Sequence, residues 1–222
     1  MKRLLMPFLV AVLCISSLML SNPVSANEES ATSGFQNVGN NKVYTQPVSN
    51  EQLQKIRESN TDYSVPITFE QAVARKAELT GTTPESVLEE LKNQNNDFNA
   101  LASSCQWMET QTTVTVSSTY KPKLVVIPRV CRDGSFGWVD VNTEPFTVGF
   151  KADTKKFDGT IRVELKGNGF RYLANGNFYN HGTVTHQGTT GANAVFTATY
   201  SVASSSNHYK AIYTGLKYRY LF

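Results

Sequence analysis

Residues 158–169 read DGTIRVELKGNG. Ile161, Val163 and Leu165 alternate with Arg162, Glu164 and Lys166, a period of two that puts apolar side chains on one face and charged ones on the other. The stretch is bracketed by Asp158-Gly159 and Asn168-Gly169, dipeptides suited to tight hairpin turns. A strand with one dry and one wet face, set between turns, belongs to an antiparallel sheet.

The same period recurs on both sides. Val114 and Val116 alternate with polar neighbours within residues 113–119, as do Phe146, Val148 and Phe150, and Phe196, Ala198, Tyr200 and Val202. Leu216, Tyr218, Tyr220 and Phe222 alternate with Lys217, Arg219 and Leu221, which predicts a paired strand with the tyrosines facing inward. Asp133-Gly134 and Asn175-Gly176 supply further turns. Eight or nine strands are expected over residues 105–222, as a β-sandwich or jelly-roll-like domain.

Upstream the period changes to that of a helix. Thr68 and Gln71 form a capping-box pattern ahead of Ala72, Val73 and Ala77, and Gly81 supplies a left-handed stop. Thr83-Pro84 restarts a second helix with Val87, Leu88 and Leu91 on one face. The result is a helical hairpin over residues 65–100, preceded by a flexible polar leader over residues 27–64 with a short helix near residues 51–59. The fold class expected is therefore α+β, mainly antiparallel β. A helix-turn-helix contact with nucleic acid is excluded, because the second helix carries Glu85, Glu89 and Glu90 against Lys92 and would repel phosphate.

Residues 1–26 have the order of an export signal. Lys2 and Arg3 precede an apolar stretch from Leu4 to Leu20, and Val24-Ser25-Ala26 places small residues at a cleavage site. This predicts a secreted protein, extracellular or associated with the cell wall. With Cys14 in the signal, Cys105 and Cys131 remain, and an oxidising compartment predicts a disulfide between them.

Charge divides along the chain. Residues 27–104 carry six Lys/Arg against eleven Asp/Glu, and residues 105–222 carry thirteen against seven. Eighteen of the twenty-four aromatic residues also lie after residue 104, so a boundary is expected there, between an acidic helical segment and a basic, aromatic-rich β domain.

The search for chemistry is brief. His181, His186 and His208 have no acidic or cysteine ligand near them in sequence and are read as surface or turn residues, so no metal or other cofactor is implied. Asp140 and Glu144 are the carboxylates left for glycoside hydrolysis once turn and strand positions are assigned, and no nucleophile motif is present. Basic and aromatic residues are interleaved instead. Lys151, Lys166 and Arg171 in the middle strands, with Tyr209, Lys210, Lys217 and Arg219 near the end, form the candidate binding face. On an exported protein such a face suits an anionic envelope polymer, a glycan or a lipid surface.

Residues 67–90 (ITFEQAVARKAELTGTTPESVLEE), the following Cys105, and the phrases KFDGT at 156–160 and NGNFYNHGT at 175–183 resemble small exported proteins of Gram-positive bacteria. The resemblance implies secretion and a helix-then-β layout, with no activity attached. The function expected is a non-catalytic binding module of the envelope or extracellular space. The alternatives are a secreted antimicrobial or toxin-like membrane-active protein, with the helical segment as a pro-region, and a secreted hydrolase.

Overall fold

A computed structural model describes residues 34–93, 104–151, 154–192, 195–204 and 207–222. The export signal read at residues 1–26 lies outside these. The first described elements are β1 (Phe35–Val38), β2 (Asn41–Tyr44), α1 (Asn50–Glu58) and β3 (Tyr63–Ile67). They correct the expected flexible leader. The segment is polar because β1 is largely exposed and β2 half-buried, while Val43, Val48 and Leu53 anchor it in the core. Ser49 caps α1 with a full capping box to Gln52.

The helical hairpin is α2 (Phe69–Thr80) and α3 (Pro84–Asn93). Thr68 and Gln71 exchange both capping-box bonds, and Gly81 ends α2 in the left-handed region with φ 69°. Downstream come β4 (Cys105–Thr113), β5 (Lys123–Val126), β6 (Arg129–Asp133), β7 (Phe136–Val139) and β8 (Val148–Phe150). After these come β9 (Lys156–Lys166), β10 (Gly169–Tyr179), β11 (Val184–Ala192), β12 (Val195–Val202), β13 (His208–Tyr213) and β14 (Lys217–Tyr220). The architecture is α+β and mostly antiparallel.

The first sheet runs β1-β2-β3-β4-β5-β8, with β6 added on β4 and β7 on β6; β2 and β3 are parallel. Because β3 pairs with β4 from Tyr63↔Gln111 to Ile67↔Trp107, one sheet spans the boundary expected near residue 104. The charge asymmetry therefore marks no domain boundary, and residues 33–222 form one compact unit. Alternation in β5 shows how the sheet is used. Leu124 and Val126 join a core shared with the second sheet, while Val125 and the following Ile127 join a core built with α1, α2 and α3. Burial on both faces explains why residues 145–150 are continuously buried and not half-wet.

The second sheet runs β11-β12-β9-β10-β13, with β14 also on β10. β9 and β10 pair over eleven positions through a hairpin centred on Gly167-Asn168, one residue before the expected Asn-Gly turn. Asp158-Gly159 and Asn175-Gly176 are not turns. Gly159 and Gly176 oppose each other inside the strands, and a Cβ on either would lie 2.3 or 2.2 Å from the backbone oxygen of Asn175 or Asp158. The Phe157 ring covers both glycines, filling the space that side chains would occupy.

Cys105 and Cys131 are bonded, and they are direct partners in the β4–β6 ladder. Across the first sheet lies a buried ionic cluster. Glu109, fully buried on β4, accepts from Arg57 of α1 and from the Tyr63 hydroxyl at 2.6 Å. Arg75 of α2 places its Nε 3.3 Å from the same carboxylate, at ion-pair distance but without hydrogen-bond alignment, and its Nη1 on Glu78. Burial, and then the Glu109 charge, raise the Tyr63 phenol well above its ordinary range, so it remains a donor.

Candidate functional site

In β10 the side chains of Phe170, Tyr172, Ala174 and Phe178 enter the core, which sends Arg171, Asn175, Asn177 and Tyr179 to the opposite face. Ladder partners extend that outer face sideways. Arg171 lies between Glu164 on β9 and Tyr218 on β14; Gly169 lies between Lys166 and Tyr220; Asn175 lies between Thr160 and Tyr213. Tyr213, Leu216 and Tyr220 are 69, 55 and 51 % exposed, and Tyr218 is also exposed. The Tyr218 and Tyr220 rings are 4.4 Å apart, and the Tyr218 hydroxyl donates to Asn168. A row of exposed aromatic surface therefore follows one edge of the sheet, beside Lys166 and Arg171.

The seven predicted binding residues separate. Lys166 and Arg171 are on this face and share Glu164, Arg171 at 2.7 Å. Lys217 and Lys210 are exposed on the adjoining strands β14 and β13. Tyr209 is directed elsewhere, its hydroxyl on Ser117 and its ring against Tyr120. Lys151 follows β8 and donates to the Arg57 carbonyl.

Arg219 corrects the reading outright. It is 3 % exposed, donates to the Tyr63 carbonyl at 3.1 Å and pairs with Asp62 at 3.6 Å, so it offers nothing to an external ligand. Burial pushes its guanidinium down to about 10, against the pull of Asp62. With Arg219 and Leu221 inward, the phase of β14 is the reverse of that expected, and Tyr218 and Tyr220 face out. The series that turns inward, Lys217, Arg219 and Leu221, has one apolar member, so periodicity by itself selects the wrong face of this four-residue strand. The signal for the inverted phase is a distant one, Asp62 waiting for a cation.

Glu164 reports on this face. Hydrogen bonds from Arg171 and then Lys166 pull its carboxyl from the ordinary 4.5 down to about 2. Because the folded value is depressed, the associated stability is present above pH 4.5 and is lost as pH falls through about 2. The pair is partly exposed, so that contribution is under about 1 kcal/mol. A carboxyl ¹³C titration is expected to place the Glu164 midpoint near 2. Molar salt is expected to raise that midpoint toward the ordinary value.

Catalytic geometry is not assembled at the predicted carboxylates. Asp140 accepts from the Asn142 amide and the Thr143 hydroxyl and lies 3.6 Å from Arg129, which fixes a turn. Glu144 is exposed beyond it. His181 is exposed, His208 contacts Asn177 Oδ1 at 3.0 Å, and His186 lies against the Tyr200 ring. Among the described residues no three His, Cys, Asp or Glu side chains converge on a metal position.

Comparison with protein-family models, curated proteins and solved structures finds no match to the chain.

Proposed function

We propose that the protein is a non-catalytic binding module of the envelope or extracellular space, holding an anionic glycan polymer on the outer face of its second sheet. The observation that carries this reading is the exposed row Tyr213, Leu216, Tyr218 and Tyr220 beside Lys166 and Arg171. Tyrosine rings present flat apolar surface to sugar faces, and the cations take the acidic substituents. The export signal and the resemblance to exported Gram-positive proteins support the location. The reading takes the two sheets as a β-sandwich, supported by a hydrophobic core to which both contribute.

A membrane-active role fits less well. The amphipathic segments that would insert, residues 110–119 and 197–206, include interior strands. β4 is paired with β3, β5 and β6, and β12 lies between β11 and β9. Removing the helical segment as a pro-region would strip β3 from β4 and expose the core under α2.

The test is retention on isolated Gram-positive cell walls as a function of salt. Wild type is expected to bind at low ionic strength and to weaken as salt rises. Tyr218→Ala with Tyr220→Ala is expected to weaken binding at least about tenfold, since buried aromatic anchors cost more than about 1 kcal/mol each when truncated. Equal retention of wild type and the double variant would remove the face from consideration.

A further inference from the structure

The outer face of the second sheet already holds a carboxylate, and that carboxylate belongs to the chain itself. Glu164 of β9 lies opposite Arg171 of β10 on one side and Val195 of β12 on the other. Lys166 follows it by two residues and Arg162 precedes it by two, so all three side chains leave β9 on the same face. One oxygen of Glu164, Oε1, takes two cations. Arg171 Nη2 donates to it at 2.7 Å, and the Lys166 ammonium contacts it as well. Next to Arg171 on its other side stands Tyr218, with the Tyr220 ring packed against it. Burial and then Tyr220 raise the Tyr218 phenol, and the Arg171 charge pulls it the other way.

An exposed cluster of this kind adds little to stability, so its consequence is felt by whatever approaches the face. The Lys166 and Arg171 side chains are 39 and 36 % exposed, and Glu164 is 21 % exposed. A ligand arriving from solvent can reach both cations, but it meets a carboxylate already seated between them. Its own carboxylate offers the two donors only what they have, so the exchange gains no hydrogen bond. A group tethered in cis competes at an effective concentration of about millimolar or more. A lone acidic sugar is held off by that competition. A polymer brings many carboxylates on one chain, and the tyrosine rings add apolar contact for its sugars; together these outweigh one tethered group.

We infer that Glu164 is an intramolecular competitor: it occupies the place of a ligand carboxylate on Lys166 and Arg171, and yields it to a polymer of acidic sugars but not to a single one. This role rests on the glycan reading of the face and narrows it in two ways. The acidic substituent is a carboxylate, the group that the two donors already hold. Chain length is the condition for capture, because only a polymer supplies enough local carboxylate to displace Glu164.

Galacturonate, polygalacturonate and galactose are the probes, titrated at low salt into the ¹⁵N-labelled protein and followed by amide shifts. Wild type is expected to bind the polymer. Glu164→Gln, which keeps the shape and removes the charge, is expected to bind galacturonate at least about tenfold more tightly than wild type, the scale of one charge-assisted contact. Galactose is expected to gain nothing. Asp158→Asn removes the same charge from the same strand about 20 Å away and is expected to leave galacturonate binding at the wild-type level. Adding Arg171→Gln to Glu164→Gln is expected to abolish the gain. Equal galacturonate binding by wild type and Glu164→Gln overturns the role, as does an equal gain in Asp158→Asn. Absence of polygalacturonate binding by wild type overturns release by chain length, and a larger gain for glycerol 1-phosphate than for galacturonate overturns the carboxylate. Failure of the glycan reading looks different: the tyrosine double variant then keeps wild-type retention on cell walls, whatever Glu164→Gln does with galacturonate.

Discussion

Glu109→Gln is expected to lower the free energy of unfolding by about 3–5 kcal/mol, the usual cost of leaving buried charge uncompensated. The carboxylate is fully buried and is shared by Arg57, Arg75 and Tyr63, from α1, α2 and β3. Glutamine keeps the shape but cannot balance two guanidinium groups, one of them 1 % exposed. The loss is charge, not volume, so the urea midpoint should fall with the slope unchanged. A control distinguishes a costly cluster from a stabilising one. Replacing the set together, with Arg57→Met, Arg75→Met, Glu109→Leu and Tyr63→Phe, removes the charges and the hydrogen bonds at once. That variant is expected to be more stable than Glu109→Gln alone, because no buried charge is left unpaired, and Glu78, which loses Arg75, is 44 % exposed to water. If the single variant unfolds at the wild-type midpoint, the cluster does not hold the helical layer to the sheet.

The second large effect is at the disulfide. Cys105→Ala with Cys131→Ala, separated by 26 residues, is expected to cost about 3.5 kcal/mol on the chain-entropy model. For a chain of this length, that corresponds to a fall of roughly 7–14 °C in melting temperature. The bond joins β4 to β6, and β4 also carries Glu109, so the two predictions touch one strand and should not be strictly additive. A reductant should reproduce the effect in the wild type and change nothing in the double alanine variant.

What the sequence made legible was local. The capping box of Thr68 and Gln71 and the stop at Gly81 involve groups a few residues apart, and each formed as read. So did the alternation of β9 and β12, which are long enough for phase to be unambiguous. The disulfide followed from cysteine arithmetic once Cys14 was assigned to the signal. The failures have the opposite character. Asp158-Gly159 and Asn175-Gly176 carry turn chemistry, but each glycine is needed where two strands meet under an aromatic ring. Glu109 finds Tyr63 and Arg57 across 46 and 52 residues, a grouping no spacing rule reveals. The predicted binding residues were scattered by pairing that no local pattern shows: the ladder puts Lys166 and Arg171 on one outer face, sets Lys217 in the phase of core-facing Tyr172, and makes Arg219 interior, while Lys151 is held on the Arg57 carbonyl.

The bond from Arg219 to the Tyr63 carbonyl joins residues 156 positions apart, and its partner Asp62 sits beside the strand that carries the buried cluster. A chain that emerges amino end first can therefore form its helices early but cannot finish the interior of its first sheet until residue 219 has arrived. Such long-range closure is slow, on the millisecond-to-second scale of β-rich domains. For a polypeptide read as exported, lateness has a use. Were the chain exported as proposed, the segment would stay loose enough to be threaded through a membrane channel and would close into its final shape only when both halves were on the same side.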